Sequence, residues 1–136
     1  MKVREIMTSN VECIAPTISV TDAAKKMKAL DVGFLPICDS DRLIGTLTDR
    51  DIVIRTVAEG RDQKTSVKDA MTSEVFYCFD DEDVETCAQY MKDKEVRRIL
   101  VLNRNKRLVG VVSIGDVSKA HETAAGNTLR DISRAA

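Results

Sequence analysis

Two segments of the chain set a glycine, a hydroxyl and a carboxylate at the same spacing: Gly45-Thr46-Leu47-Thr48-Asp49-Arg50-Asp51 and Gly110-Val111-Val112-Ser113-Ile114-Gly115-Asp116. In each, an apolar strand-like run ends in Thr48 or Ser113, and a carboxylate follows three positions later at a helix start. Such a pair can cap a helix, because the hydroxyl accepts an otherwise unpaired backbone N–H and the aspartate is favoured by the helix dipole. The same arrangement can also hold a ligand. Backbone N–H groups at a helix start suit a phosphate, a hydroxyl adds a donor, and a carboxylate can accept both hydroxyls of a ribose. The two uses are compatible. The glycine three residues before each hydroxyl, in a duplicated setting, favours the second.

The other reactive side chains point away from catalysis. Cys13, Cys38, Cys78 and Cys87 form no C-x-x-C pair, and His121 is the sole histidine. Zinc ligands usually come in close local pairs, so a metal site is not expected. The cysteines read as buried, reduced thiols, and spacing alone does not decide whether any two are bonded. There is no P-loop, no G-x-S-x-G and no histidine base beside a nucleophile, so a non-enzyme is expected. Arg50 and Arg55 read as surface or dimer-contact residues, and His121 as part of a solvated helix face.

The elements that position the two motifs come from a duplication. Val3-Arg4-Glu5-Ile6-Met7-Thr8-Ser9-Asn10-Val11 aligns with Val67-Lys68-Asp69-Ala70-Met71-Thr72-Ser73-Glu74-Val75 at an offset of 64. One inserted residue moves the offset to 65, where Gly45 meets Gly110 and Asp51 meets Asp116. Each copy reads as β-α-β-β-α, an α/β (α+β) unit. In the first copy these are a brief strand near Cys13 to Ala15, a helix over about 20–31 and strands at 34–38 and 43–47. A last helix runs from near Asp49 and ends by Gly60, which suits a left-handed cap. The near-continuous apolar strands predict cover on both faces. The expected organisation is repeat 1 at 1–60, a linker at 61–65, repeat 2 at 66–124 and a polar tail at 125–136. One copy is too small to close a core, so the pair should pack together about a pseudo-twofold axis.

Bulk properties narrow the partners. A formal net charge of -1 gives no field that favours nucleic acid or an acidic membrane surface, and an aromatic content of 4% offers few stacking platforms. No apolar run approaches the ~18 residues of a membrane span, and the N-terminal residues lack an apolar signal core. A cytoplasmic location is expected. Ile52, Val53, Ile54 and Val57 give the last helix of copy one more apolar surface than one face needs, which predicts a homodimer.

On the doubled G-x-x-[ST]-x-x-D motif, together with Asp31-Val32-Gly33-Phe34-Leu35-Pro36-Ile37 and Glu95-Val96-Arg97-Arg98-Ile99-Leu100-Val101, the chain resembles the cystathionine β-synthase (CBS) domain pair, or Bateman module. The resemblance covers about residues 1 to 122, and Thr48-Asp49-Arg50-Asp51-Ile52 is similar to small stand-alone bacterial members. It implies a regulatory sensor of AMP, ADP or ATP with no required cofactor, and a homodimer that pairs through its last helices. An effector protein is a possible further partner. The alternative is a structural or interaction module with empty clefts. Carried over residue by residue, one cleft would use Asp51 for the ribose diol and Thr48 for the α-phosphate or ribose. Arg97 and Arg98 would serve the phosphates, with Met71, Thr72, Val75 and Cys78 around the adenine. The mirror cleft would use Ser113, Asp116, Gly33, Phe34, Val11 and Ile14, and is expected to be weaker or empty because no arginine occupies the matching positions.

Overall fold

The computed structural model describes residues 1–122; the polar tail expected at 125–136 lies outside the described residues. Its elements follow the duplication. The first set comprises α1 (Val20–Leu30), β1 (Phe34–Asp39), β2 (Arg42–Thr48) and α2 (Asp49–Ile52), which runs on as a π-helical turn, Val53–Val57. After α3 (Val67–Ala70) come β3 (Tyr77–Phe79), α4 (Val84–Lys94), β4 (Arg98–Leu102), β5 (Leu108–Ser113) and α5 over 114–122. The described residues fold as two compact units, 11–75 and 1–10 with 76–122.

Local rules account for the elements. Ser19 caps α1 by accepting the Asp22 N–H at 3.1 Å. The helix stops where Asp31 adopts a left-handed φ of 54°, and Glu95, its twin at offset 64, ends α4 at 56°. β1 and β2 form an antiparallel pair with a bulge at Ile37/Cys38; β4 and β5 repeat it with a bulge at Val101/Leu102. β3 adds to β4 in parallel, with Tyr77 opposite Leu100. Its counterpart in the other unit is reduced to a single bridge, Ile14 to Ile37, so the strand expected near Cys13 is vestigial.

Each unit closes its own core with a segment taken from the other sequence copy. Val67 and Ala70 are fully buried with Ile14, Val20, Ala23, Met27, Leu35, Ile37 and Leu47. Val3 is fully buried with Cys78, Cys87, Met91, Ile99, Val101 and Val112. Backbone bonds fix the exchange: Val20 N–H donates to the Thr65 carbonyl at 2.8 Å, and Val84 N–H to the Met1 carbonyl at 2.9 Å. The sequence repeats and the compact units are therefore different partitions of one chain. Leu30, the last residue of α1, is exposed. No helix among the described residues is long and apolar enough to cross a membrane.

The cysteines divide in two. Cys13 and Cys38 are joined as a disulfide, which corrects the reading of four reduced thiols. The parallel bridge between Ile14 and Ile37 brings the two segments together, and the Cys13 and Cys38 Cα atoms, diagonal across it, lie 5.6 Å apart. Cys78 and Cys87 are free and buried, with their sulfurs 3.5 Å apart. The hydrogen bond to Cys87, followed by burial, pushes the Cys78 thiol well above its ordinary range.

Candidate functional site

The first motif sits where β2 runs into α2. Thr48 stays extended while its hydroxyl oxygen accepts the Asp51 N–H at 3.0 Å; the Thr48 N–H donates to Asp51 Oδ2, also at 3.0 Å. This reciprocal capping box leaves both side chains half-buried at the helix start. The 71–72 segment completes the site from the same unit. Thr46 and Thr72 form a two-way backbone bridge of 3.0 and 2.9 Å. The Thr72 hydroxyl then donates to Asp51 Oδ1 at 3.5 Å. Thr48, Asp51, Met71 and Thr72 are thus brought together.

Gly45 explains how they fit. A Cβ there would lie 2.7 Å from the Thr72 carbonyl oxygen and 3.0 Å from Met71 Sδ, so any larger residue would push the segment away. The twin follows the same rule. At Gly110 a Cβ would lie 2.9 Å from the Thr8 carbonyl oxygen and 2.6 Å from Met7 Sδ. Both motif glycines are docking positions for a Met-Thr segment.

The second motif repeats the capping box in the other unit. Ser113 N–H donates to Asp116 Oδ2 at 2.9 Å, and Asp116 N–H to Ser113 Oγ at 3.1 Å. Thr8 bridges Val111 as Thr72 bridges Thr46. Arg98 lies opposite Ser113 in the β4–β5 register, and the Arg97 carbonyl accepts the Ile114 N–H at 2.9 Å. Arg97 also lines a groove of about 400 Å³ with Met91, Val96, Ile114 and Val117. Gly33 and Phe34 hold the matching places in the unit that contains Asp51, where the Gly33 carbonyl accepts the Asp49 N–H at 3.0 Å.

Two expected lining side chains are turned inward. Cys78 and Ile14, twins at offset 64, are 3% and 4% exposed and belong to the two cores, so neither the thiol nor the sec-butyl group is turned outward to line a cleft. Strand alternation explains it: the residue that pairs into the central strand at these positions presents its side chain to the core face. Val11 and Val75 are half-buried. Arg55 is exposed, in line with a surface residue, and its side chain also donates from Nη1 to the Met71 carbonyl at 2.7 Å. The only signal for this in the sequence is its place one turn after Asp51.

The CBS domain family matches the chain twice, over residues 3–56 and 67–122. The chain belongs to the CBS domain family. It is 36% identical to the CBS domain-containing protein YhcV of Bacillus subtilis, over 96% of this chain and 94% of that protein. Among solved structures it is similar to Hypoxic Response Protein I with two coordinated zinc ions, at a TM-score of 0.77 and 36% identity, over 88% of this chain and 98% of that one. It is also similar to CBSX2 in complex with AMP, at a TM-score of 0.78 and 25% identity, over 91% and 98%.

As a CBS-domain pair, the chain presents each motif with its carboxylate only partly used. An ionised carboxylate offers about four acceptor positions. Asp51 uses two of them, for the Thr48 N–H and the Thr72 hydroxyl, and so keeps capacity for a diol. Thr48, which accepts through its oxygen, still has its own O–H to donate. Among the described residues no three metal-ligating side chains converge.

Proposed function

We propose that this CBS-domain pair is a regulatory module that binds an adenine nucleotide (AMP, ADP or ATP) and has no catalytic activity of its own. One observation carries the reading: the Asp51 carboxylate is anchored on one side by the Thr48 N–H at 3.0 Å and approached on the other by the Thr72 hydroxyl at 3.5 Å. Its remaining lone pairs suit the two hydroxyls of a ribose, and the Thr48 O–H suits a phosphate or ribose oxygen. The AMP complex of CBSX2 supports the choice of ligand class. Ser113 and Asp116 form the weaker or empty counterpart. The assignment of Arg97 and Arg98 to the phosphates is carried by family resemblance, and the double variant Arg97→Ala/Arg98→Ala tests it.

The test is a thermal-shift series with AMP, ADP, ATP and adenosine. A ligand at a hundred times its Kd stabilises the fold by about 2.7 kcal/mol. No shift with any of them would reject the reading.

A second property has its own observation. Val53, Ile54 and Val57 are 54%, 47% and 68% exposed on the π-helical turn, a contiguous apolar patch on a charged surface. We propose that it pairs two copies into a homodimer, through which a bound nucleotide acts on an effector protein. Light scattering that shows only a 15.1 kDa species at micromolar concentration would reject it.

A further inference from the structure

We infer that Arg55 is a positioning residue of the Thr48/Asp51 site: it holds the Met71-Thr72 backbone against β2 so that the Thr72 hydroxyl reaches Asp51. What the site then holds rests on the nucleotide reading above; the positioning itself does not.

The contact is specific. Arg55 follows Asp51 by four residues, the spacing at which an arginine and an aspartate on one helix commonly pair. A direct pair would occupy the carboxylate that a ribose needs. The guanidinium goes instead to the Met71 carbonyl, at 2.7 Å. A charged donor makes a stronger hydrogen bond than a neutral one, and this one closes a ring of contacts: Asp51 to Thr72, Thr72 to Thr46, and Met71 back to Arg55.

The duplication supplies an internal control. At offset 65 the counterpart of Arg55 is Ala120, which has no side-chain donor, although the Met7-Thr8 segment docks on Gly110 in the same way. Backbone geometry differs at the same place. Residues 53–57 form a π-helical turn in which Ala58 N–H donates to the Val53 carbonyl at 2.8 Å, whereas 114–122 is α-helical throughout. The turn carries a cost. Thr56 is 2% exposed, and its hydroxyl has no hydrogen-bond partner among the described residues. π-turns are rare and concentrate at functional sites. Here the turn contains Arg55, which reaches the Met-Thr segment.

Amide hydrogen exchange and AMP calorimetry on wild type, Arg55→Ala and Arg55→Lys test the inference. In Arg55→Ala the Thr46 and Thr72 amides should exchange about tenfold faster, as expected for losing one charge-assisted bond. The twin amides of Thr8 and Val111 should not change, AMP should bind about tenfold more weakly, and Arg55→Lys, which keeps one charged donor, should recover most of both effects. Unchanged exchange at Thr46 and Thr72, or equal acceleration in both units, would overturn the positioning role whatever the affinity does. Selective acceleration in a protein whose wild type binds no adenine nucleotide would uphold the positioning role and reject the nucleotide reading instead.

Discussion

Gly45→Ala should cost the protein about 2 kcal/mol, because the added methyl meets backbone rather than a side chain that can swing away. The new Cβ would lie 2.7 Å from the Thr72 carbonyl oxygen, well inside van der Waals contact. That oxygen is held by the Thr46 N–H at 3.0 Å, and the return bond from Thr72 N–H to the Thr46 carbonyl is 2.9 Å. Relieving the clash strains or breaks both, at about 1 kcal/mol each, and the overpacking adds about 1 kcal/mol. Replacing glycine also narrows the unfolded ensemble, which returns roughly 0.4–1 kcal/mol. For a chain of this size the net loss corresponds to a fall in Tm of roughly 6–12 °C. Gly110→Ala should cost less, since its nearest neighbour at 2.6 Å is the sulfur of Met7 and only the Thr8 oxygen, at 2.9 Å, is backbone. Gly60→Ala is the control. It has nothing within 4 Å, but its φ of 68° strains an alanine by about 1 kcal/mol. Urea midpoints and calorimetry would measure all three. A Gly45→Ala protein as stable as wild type would refute the reasoning, as would a larger loss in Gly110→Ala.

Three further outcomes follow from particular contacts. Thr48→Ala and Ser113→Ala each remove a helix N-cap and should each lower stability by about 1 kcal/mol in urea titrations, additively because the caps share no partner. Thiol titration of the unfolded, unreduced protein should find two reactive cysteines, Cys78 and Cys87; four would refute the Cys13–Cys38 bond. The Arg104 guanidinium binds both Asp81 oxygens, at 3.1 and 2.9 Å, and holds that carboxyl below its usual range. A lowered carboxyl stabilises above its unfolded value near 3.8 and loses that contribution as pH falls through the lowered one. Wild type should therefore exceed Arg104→Ala in stability by more at neutral pH than in strong acid, where only the guanidinium's stacking over the Phe79 ring at 4.1 Å remains, and parallel curves at every pH would contradict this.

Much of the fold is legible in the sequence, because the duplication checks each element against its twin. The helix over Val20–Leu30 carries a helical periodicity, the strands ending at Thr48 and Ser113 carry near-continuous apolar runs, and the two capping boxes follow from hydroxyl and carboxylate three apart. The exchange of segments does not. Met7-Thr8 and Met71-Thr72 are the same dipeptide, so nothing in either says whether it docks on Gly45 or Gly110. The Cys13–Cys38 bond is hidden for a related reason: a separation of 25 residues carries no pairing information until the Ile14–Ile37 bridge is known. The segments of Cys78 and Ile14 are legible as cleft-lining, but which face a strand residue presents is set by a one-residue register that composition does not reveal. Arg55 is indistinguishable from any exposed helix arginine until the neighbouring carbonyl is in place.

The central claim is that the Thr48/Asp51 constellation holds an adenine nucleotide, and AMP calorimetry on wild type, Asp51→Ala and Asp116→Ala tests it most directly. The account predicts saturable binding by wild type, binding weakened at least about tenfold in Asp51→Ala for the loss of hydrogen bonds to a charged group, and near-wild-type affinity in Asp116→Ala. No binding by wild type, or loss in Asp116→Ala with Asp51→Ala intact, would contradict it.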